Sequence, residues 1–168
     1  MAIPKKIINF LEKNKTRYQT LEHKIVYTAF DKSQTLKIKP NIIGKTLVLK
    51  ANKELIIVLI PANKNLDKQK VKKIINKKLK KEGKKLLKTI DFASERLMKN
   101  KLKGVKIGAI PPFGNLFGFT NLINRSLLGQ SKIIINSGDY NQSIKIKGVF
   151  LKKLMPDLLA GSFIKARK

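Results

Sequence analysis

The sequence predicts one α+β domain spanning residues 1–168, with a mixed, curled, barrel-like sheet flanked by helices. Three observations carry this expectation. Apolar residues recur at helical spacing in some segments and at strand spacing in others, and the two kinds alternate along the chain without a linker between them. At 168 residues and 42% hydrophobic, the chain can fill one core well but is too short for two.

Each element follows from its own pattern. Ile3, Ile7, Phe10 and Leu11 recur at helical spacing and Pro4 suits a first turn, so a helix opens the chain and ends near Asn14. Arg17 to His23 reads as a short strand. Thr28 followed by Asp31 matches a capping pattern for a second helix, carrying Ala29, Phe30 and Leu36 toward Lys39-Pro40. Thr46 to Lys50 and Glu54 to Ile60, separated by Ala51-Asn52-Lys53, read as a β-hairpin whose second strand is deeply buried. Between Asp67 and Lys81 the residues Val71, Ile74, Ile75 and Leu79 share one helical face, leaving Lys68, Lys72, Lys73, Lys77 and Lys80 toward solvent. Asp91 to Lys99 suggests a short helix capped by Asp91. Lys132 to Asn136 and Gln142 to Lys147 pair as strands around Ser137-Gly138-Asp139-Tyr140-Asn141. From Val149 to Leu159 apolar residues alternate up to a break at Pro156.

Composition narrows the chemistry. The chain has no cysteine, which excludes disulfides, thiolate metal sites and cysteine nucleophiles. His23 is the only histidine, so a histidine-rich metal centre cannot form, and no metal or cofactor is expected. A lone histidine is more often structural than a general base. The 10 acidic residues are scattered, with no pair spaced for two-carboxylate catalysis. Lysines interrupt the apolar residues of Met1 to Phe10, unlike a signal peptide, and the run Leu55 to Ile60 is far short of the roughly 20 residues that cross a bilayer. A cytoplasmic protein without a membrane partner is the expectation.

The charge points to a polyanionic partner. There are 38 basic residues against 10 acidic ones, a net charge of +28. Such a surface attracts nucleic acid with an affinity that falls as salt rises. Arg17, Arg96, Arg125 and Arg167 are the only arginines, which favours diffuse phosphate attraction over base readout. A lysine-rich coding bias would produce the same composition without a function. The lysines Lys68, Lys72, Lys73, Lys77 and Lys80 form either a solvated helix face or a phosphate track.

The segment Gly108-Ala109-Ile110-Pro111-Pro112-Phe113-Gly114 carries the chemistry. Two glycines bracket two prolines, making a stiff loop whose backbone can lie against a ligand. Upstream lies Gly44-Lys45-Thr46-Leu47-Val48-Leu49, and downstream Asn136-Ser137-Gly138-Asp139. Together with Glu22-His23-Lys24-Ile25-Val26-Tyr27-Thr28-Ala29, Leu55 to Pro61 and Asn65-Leu66-Asp67, these segments resemble, in order and spacing, the YbaK/prolyl-tRNA synthetase-associated family of editing domains, over nearly the whole chain. The resemblance implies an aminoacyl-tRNA deacylase acting in trans on mischarged tRNA, with the tRNA acceptor end and an aminoacyl-tRNA synthetase as partners. It implies that the loop Gly108 to Pro112 embraces the aminoacyl group and terminal adenosine and offers backbone amides to the reacting carbonyl. It implies also that Lys45 supplies positive charge, and that water attacks with help from the substrate's own ribose hydroxyl.

On the same resemblance, His23, Tyr27, Thr28, Phe30, Thr46, Ala109, Ile110, Pro111, Phe113, Gly114, Ser137, Gly138 and Asp139 are the expected substrate contacts, Phe30 and Phe113 as walls and Gly138 and Asp139 at the edge. Ser137 reads as a turn residue, because no Gly-x-Ser-x-Gly elbow surrounds it. Many relatives carry an acid where this chain has Asn124, before Arg125-Ser126-Leu127; an amide there keeps a hydrogen bond but not a charge. The edited amino acid is left open among small residues such as alanine, cysteine, serine and threonine. A non-catalytic basic RNA-binding module of the same fold, or a small-molecule binder using the same pocket, is the alternative.

Overall fold

The computed structural model describes residues 3–166. Met1 and Ala2 of the leader reading, and Arg167, lie outside the described residues. The first helix, α1 (Lys5–Lys13), is entered at Pro4 and buries Ile7 and Leu11. Strand β1 (Tyr18–Glu22) follows. Helix α2 (Ala29–Leu36) is capped as expected, with Thr28 Oγ1 accepting from Asp31 N–H at 3.0 Å. The hairpin consists of β2 (Gly44–Ala51) and β3 (Glu54–Pro61), and Asn52 in its turn takes φ +57°.

Strand β3 explains its own apolar run by being covered on both faces. Ile56, Val58 and Ile60 pack with Leu49 beneath α3 (Lys68–Lys81), while Leu55 and Ile57 pack with Val48, Ala93, Leu102 and Ile110 on the other side. On α3, Val71 and Ile75 are buried and Ile74 and Leu79 partly so, as the helical period requires. Full burial of each such side chain stabilises by about 1.5–3 kcal/mol. Asp67 caps the helix by accepting from the N–H groups of Gln69 and Lys70.

The segment after α3 departs from the expected helix capped by Asp91. Ile90 to Phe92 is a strand, β4, pairing with Leu49–Ala51, and the cap is Ser94, whose Oγ accepts from Leu97 N–H at 3.1 Å to start α4 (Glu95–Lys101). Then follow β5 (Thr120–Asn124), α5 (Arg125–Leu128), β6 (Ile133–Asn136) and β7 (Gln142–Ile146). The stretch that alternates before Pro156 is a helix, α6 (Phe150–Leu154), which buries Leu151 and Leu154; β8 (Leu159–Gly161) ends the order.

The strands form two sheets. One is antiparallel, in the order β1-β7-β6; the other is mixed, β4-β2-β3-β5-β8, with β5 parallel to both β3 and β8. The sheet is mixed and flanked by helices, as expected, but the curled barrel is not found. Both sheets are open, and a single parallel bridge, Ile43 to Ile134, joins β6 to the residue preceding β2. Beyond that bridge the chain at 106–110 takes the place beside β6 that a continuing strand would hold. Lys106 N–H donates to Gly138 C=O at 3.0 Å, Gly138 N–H to Ala109 C=O at 2.8 Å, and Asn136 Nδ2 to Ile110 C=O at 3.1 Å. Among the described residues no helix is long and apolar enough to cross a membrane.

Candidate active site

The opening between the sheets creates the site. Strand β4 covers only Leu49–Ala51 of β2, so the first half of β2 has no strand on that side past the Ile43 bridge. The Gly108 loop lies against this open edge. Gly108 has φ +93°, a conformation that costs a side-chain-bearing residue, and a Cβ there would meet Tyr140 at 3.4 Å and the Tyr27 carbonyl at 3.5 Å. Gly108 is exposed, whereas Ala109, Ile110, Pro111, Pro112, Phe113 and Gly114 are buried. The loop is therefore anchored at one end. Phe113 belongs to the core and packs 5.1 Å from Phe10, and Gly114 N–H donates to Asn121 Oδ1 at 2.6 Å. A Cβ on Gly114 would sit 2.6 Å from that same oxygen.

The loop's donors can be counted. Ala109 N–H donates to Lys106 C=O at 3.0 Å and Gly114 N–H is taken as above, while Pro111 and Pro112 have no N–H. The N–H groups of Gly108, Ile110 and Phe113 have no partner among the described residues, and Phe113 lies in the core behind the loop. Gly108 and Ile110 line a hollow of about 260 Å³ whose walls include Thr46, Phe92, Met98 and Ile107. Thr46 Oγ1 is closed off from water and has no hydrogen-bond partner among the described residues. A buried hydroxyl in that state costs free energy.

Lys45 lies on the other face of β2. The register pairs Lys45 with Ile60 and Leu47 with Val58 beneath α3, whereas Thr46 and Val48 pair with Leu59 and Ile57 on the loop side. Burial lowers the Lys45 pKa, and its Nζ donates to Lys64 C=O at 2.8 Å. It lines a second hollow of about 490 Å³ with Asp67, Lys68 and Lys165. The structure thus does not bring Lys45 and Gly108 into one cavity, but the two hollows meet: Leu47 and Phe92 line both.

The remaining expected contacts fall into two groups. Tyr27 and Phe30 are 63% and 65% exposed, so Phe30 is an outer aromatic surface rather than an enclosing wall. Tyr27 meets Tyr140 edge-on at 4.8 Å, and the Tyr140 hydroxyl donates to Ile107 C=O, bracing the approach to Gly108. Thr28 caps α2, Ser137 Oγ donates to Gln142 C=O at 2.7 Å, and Gly138 takes φ +99° against Pro4 and Val105; these shape the turn and the loop's support. Phe113 is core, which places it behind the loop.

His23 is engaged on both nitrogens. A carbonyl can only accept, so Nδ1–H donates to Lys24 C=O at 2.8 Å, and Nε2 accepts from Ser143 Oγ at 2.9 Å. Burial lowers its pKa, the hydrogen bond to Lys24 opposes this, and the charge of Lys32 lowers it further. The imidazole therefore ties β1 to β7. Burial alone would raise the Asp139 carboxyl, but hydrogen bonds from Lys106 Nζ at 3.0 Å and Tyr140 N–H at 2.7 Å outweigh it and hold the pKa below the usual carboxylate range. Asn124 is buried; it accepts from Phe163 N–H at 2.9 Å and donates to Ser126 Oγ at 2.8 Å, a structural role that needs no charge.

Lys73, Lys77 and Lys80 stand exposed along α3. Lys72 Nζ donates to Lys88 C=O at 3.0 Å, and Lys68 pairs with Asp91 at 3.1 Å beside the Phe92 ring. Phe92, 53% exposed at the junction of the two hollows, was not among the residues the sequence pointed to. Nor was Lys32, and Asn136 entered only as the end of the strand from Lys132 and the first residue of the segment Asn136 to Asp139, with no role of its own. An exposed aromatic at a strand end carries no motif, and a lysine is anonymous among 38 basic residues. No group of three or more carboxylate or imidazole side chains among the described residues is placed to hold a metal ion.

A backbone loop with unbonded amides, set over an open strand edge in an α+β fold, makes this hollow the candidate ligand site. The sequence profile of the aminoacyl-tRNA editing domain matches residues 23–154, and the chain belongs to that family. Solved structures share the fold. A candidate trans-editing enzyme for prolyl-tRNA synthetase superposes with a TM-score of 0.75 at 18% identity, covering 96% of each chain. The hypothetical protein APE2540 gives 0.75 at 18% identity over 95% of this chain and 99% of that one. A scaffold protein for presenting linear epitopes gives 0.75 at 16% identity over 97% of each. A search of curated proteins finds no match.

Proposed function

We propose that the chain is an aminoacyl-tRNA deacylase, a single domain that hydrolyses the ester of mischarged tRNA in trans. The observation that carries this reading is that Gly108 and Ile110, whose N–H groups are unbonded, and Thr46, whose hydroxyl is unpaired, line one small hollow. An aminoacyl ester is already activated, so positioning and preorganised backbone dipoles suffice for a useful rate. Water attacks the ester carbonyl carbon with the neighbouring ribose hydroxyl assisting. The developing oxyanion accepts from the Gly108 and Ile110 amides, the ester C–O bond breaks as a proton from the attacking water reaches the leaving ribose oxygen, and amino acid and tRNA separate.

Thr46 turns its hydroxyl toward the ester by rotation about χ1. Lys45 contributes positive charge from the adjoining hollow, across Leu47. Tyr27, Phe30 and Phe92 offer exposed rings for the unpaired bases of the acceptor end, and the lysines of α3 attract its phosphates. Family membership and the net charge of +28 support tRNA as the polyanion.

A second reading, a basic RNA-binding module without turnover, is favoured by the engagement of His23 and Asp139 in structural hydrogen bonds. Deacylation of mischarged tRNA by wild type and Gly108→Ala separates the two. Loss of turnover with retained tRNA affinity supports the enzyme; no turnover by either protein supports the module.

A further inference from the structure

Lys32 occupies a position on α2 where a charge is expensive. It is 5% exposed, and among the described residues no carboxylate pairs with it. Its Nζ donates to Asn136 Oδ1 at 2.6 Å. Burial pushes its pKa down to about 8, so at neutral pH it remains mostly an ammonium with one neutral partner. An apolar side chain would fill this place without the desolvation cost.

Asn136 stands at the end of β6, where the two sheets part, and its Nδ2 donates to Ile110 C=O at 3.1 Å. The direction of this amide follows from its neighbours. Lysine can only donate, so Oδ1 must face Lys32; a carbonyl can only accept, so Nδ2 must face Ile110. Without the lysine only the Ile110 carbonyl opposes the flipped amide, and the grip on that carbonyl loses the charge that holds Oδ1 on the far side.

We propose that Lys32 is a positioning residue: its ammonium locks the Asn136 amide in the orientation that grips Ile110, and so holds Gly108 and Ile110 at the hollow. The catalytic consequence rests on the deacylase reading; the orientation of the loop does not. The cost of burying Lys32 is then the cost of an ordered loop.

The test uses the full chain with Lys32→Met and Asn136→Asp. Lys32→Met removes a buried charge, so its melting temperature rises while kcat on a mischarged tRNA falls about 10- to 100-fold with little change in KM. Asn136→Asp keeps an acceptor for Lys32 but has no N–H for Ile110, and gives the same loss of kcat. In both variants amide hydrogen exchange at Ala109 and Gly138, whose N–H groups donate to Lys106 C=O and Ala109 C=O, speeds up about tenfold or more. A residue that merely supports the fold would lower stability and activity together, and that outcome overturns the proposal, as does wild-type exchange at the loop in both variants. If wild type hydrolyses no ester while exchange at the loop still accelerates in both variants, the deacylase reading fails and the positioning stands.

Discussion

Replacing Thr46 with valine exchanges the unpaired hydroxyl for a methyl group of almost the same shape. The perturbation therefore isolates one polar atom. A buried hydroxyl without a partner costs about 1–3 kcal/mol. Thr46 Oγ1 is in that state, on a strand position flanked by Leu59 and Val48. Thr46→Val is expected to stabilise the protein by about 1–2 kcal/mol, which in a chain of this length raises the melting temperature by about 2–8 °C. The same hydroxyl, turned toward the ester, contributes a hydrogen bond to the reacting complex. Its loss lowers kcat/KM by about 1–3 kcal/mol, or about 5- to 150-fold. Circular dichroism melts at pH 7 read the first quantity and single-turnover deacylation the second. A lower melting temperature would mean that the hydroxyl is satisfied in solution and would refute the structural premise. A higher one with unchanged kcat/KM would refute the role at the ester.

Other perturbations probe other links of the account. Gly108→Ala forces a Cβ onto φ +93°, and is expected to cost about 1–3 kcal/mol in melts while turnover falls more steeply than tRNA affinity, read by filter binding. The depressed Asp139 pKa contributes stability that is present above the unfolded carboxylate value of about 3.9 and is lost as pH falls through the lower folded value. Acid melts of wild type should thus steepen below about pH 4, and those of Asp139→Asn should not. Replacing Lys73, Lys77 and Lys80 with serine is expected to reduce the slope of log affinity against log salt for tRNA by about two to three, leaving kcat unchanged at saturation. Phe92→Leu should raise KM for tRNA with kcat retained; a fall in kcat alone would move Phe92 out of the binding surface.

Much of this architecture was legible because local rules agreed with each other. The Thr28 cap, the Asn52 turn, the two-sided burial of β3 and the apolar face of α3 each follow from short-range spacing. The stiffness of the Gly108 loop followed from its prolines. The relation of Lys45 to that loop was not legible, because both faces of β2 alternate one lysine with two other residues: Lys45, Leu47 and Leu49 on one side, Thr46, Val48 and Lys50 on the other. Periodicity cannot say which face meets a segment sixty residues away in sequence, a distance on the scale of half a small domain.

Asp91 and Ser94 are both competent caps, and a strand of three residues is too short for its alternation to choose between them. The open sheets depend on Asn136 and the 106–110 segment meeting where a strand would otherwise continue. That is a long-range hydrogen-bonding event with no pattern in the chain. Lys32 was hidden for the same reason: its burial is set by what packs over α2, and neighbouring residues in the sequence give no sign of it.

The central claim is hydrolysis of an aminoacyl ester at the Gly108 loop. Its most direct test is a deacylation time course over a panel of mischarged tRNAs at moderate salt, comparing wild type with Gly108→Ala. The account predicts faster loss of one or a few esters with wild type and near-background loss with the variant. Background loss of every ester with wild type would contradict it.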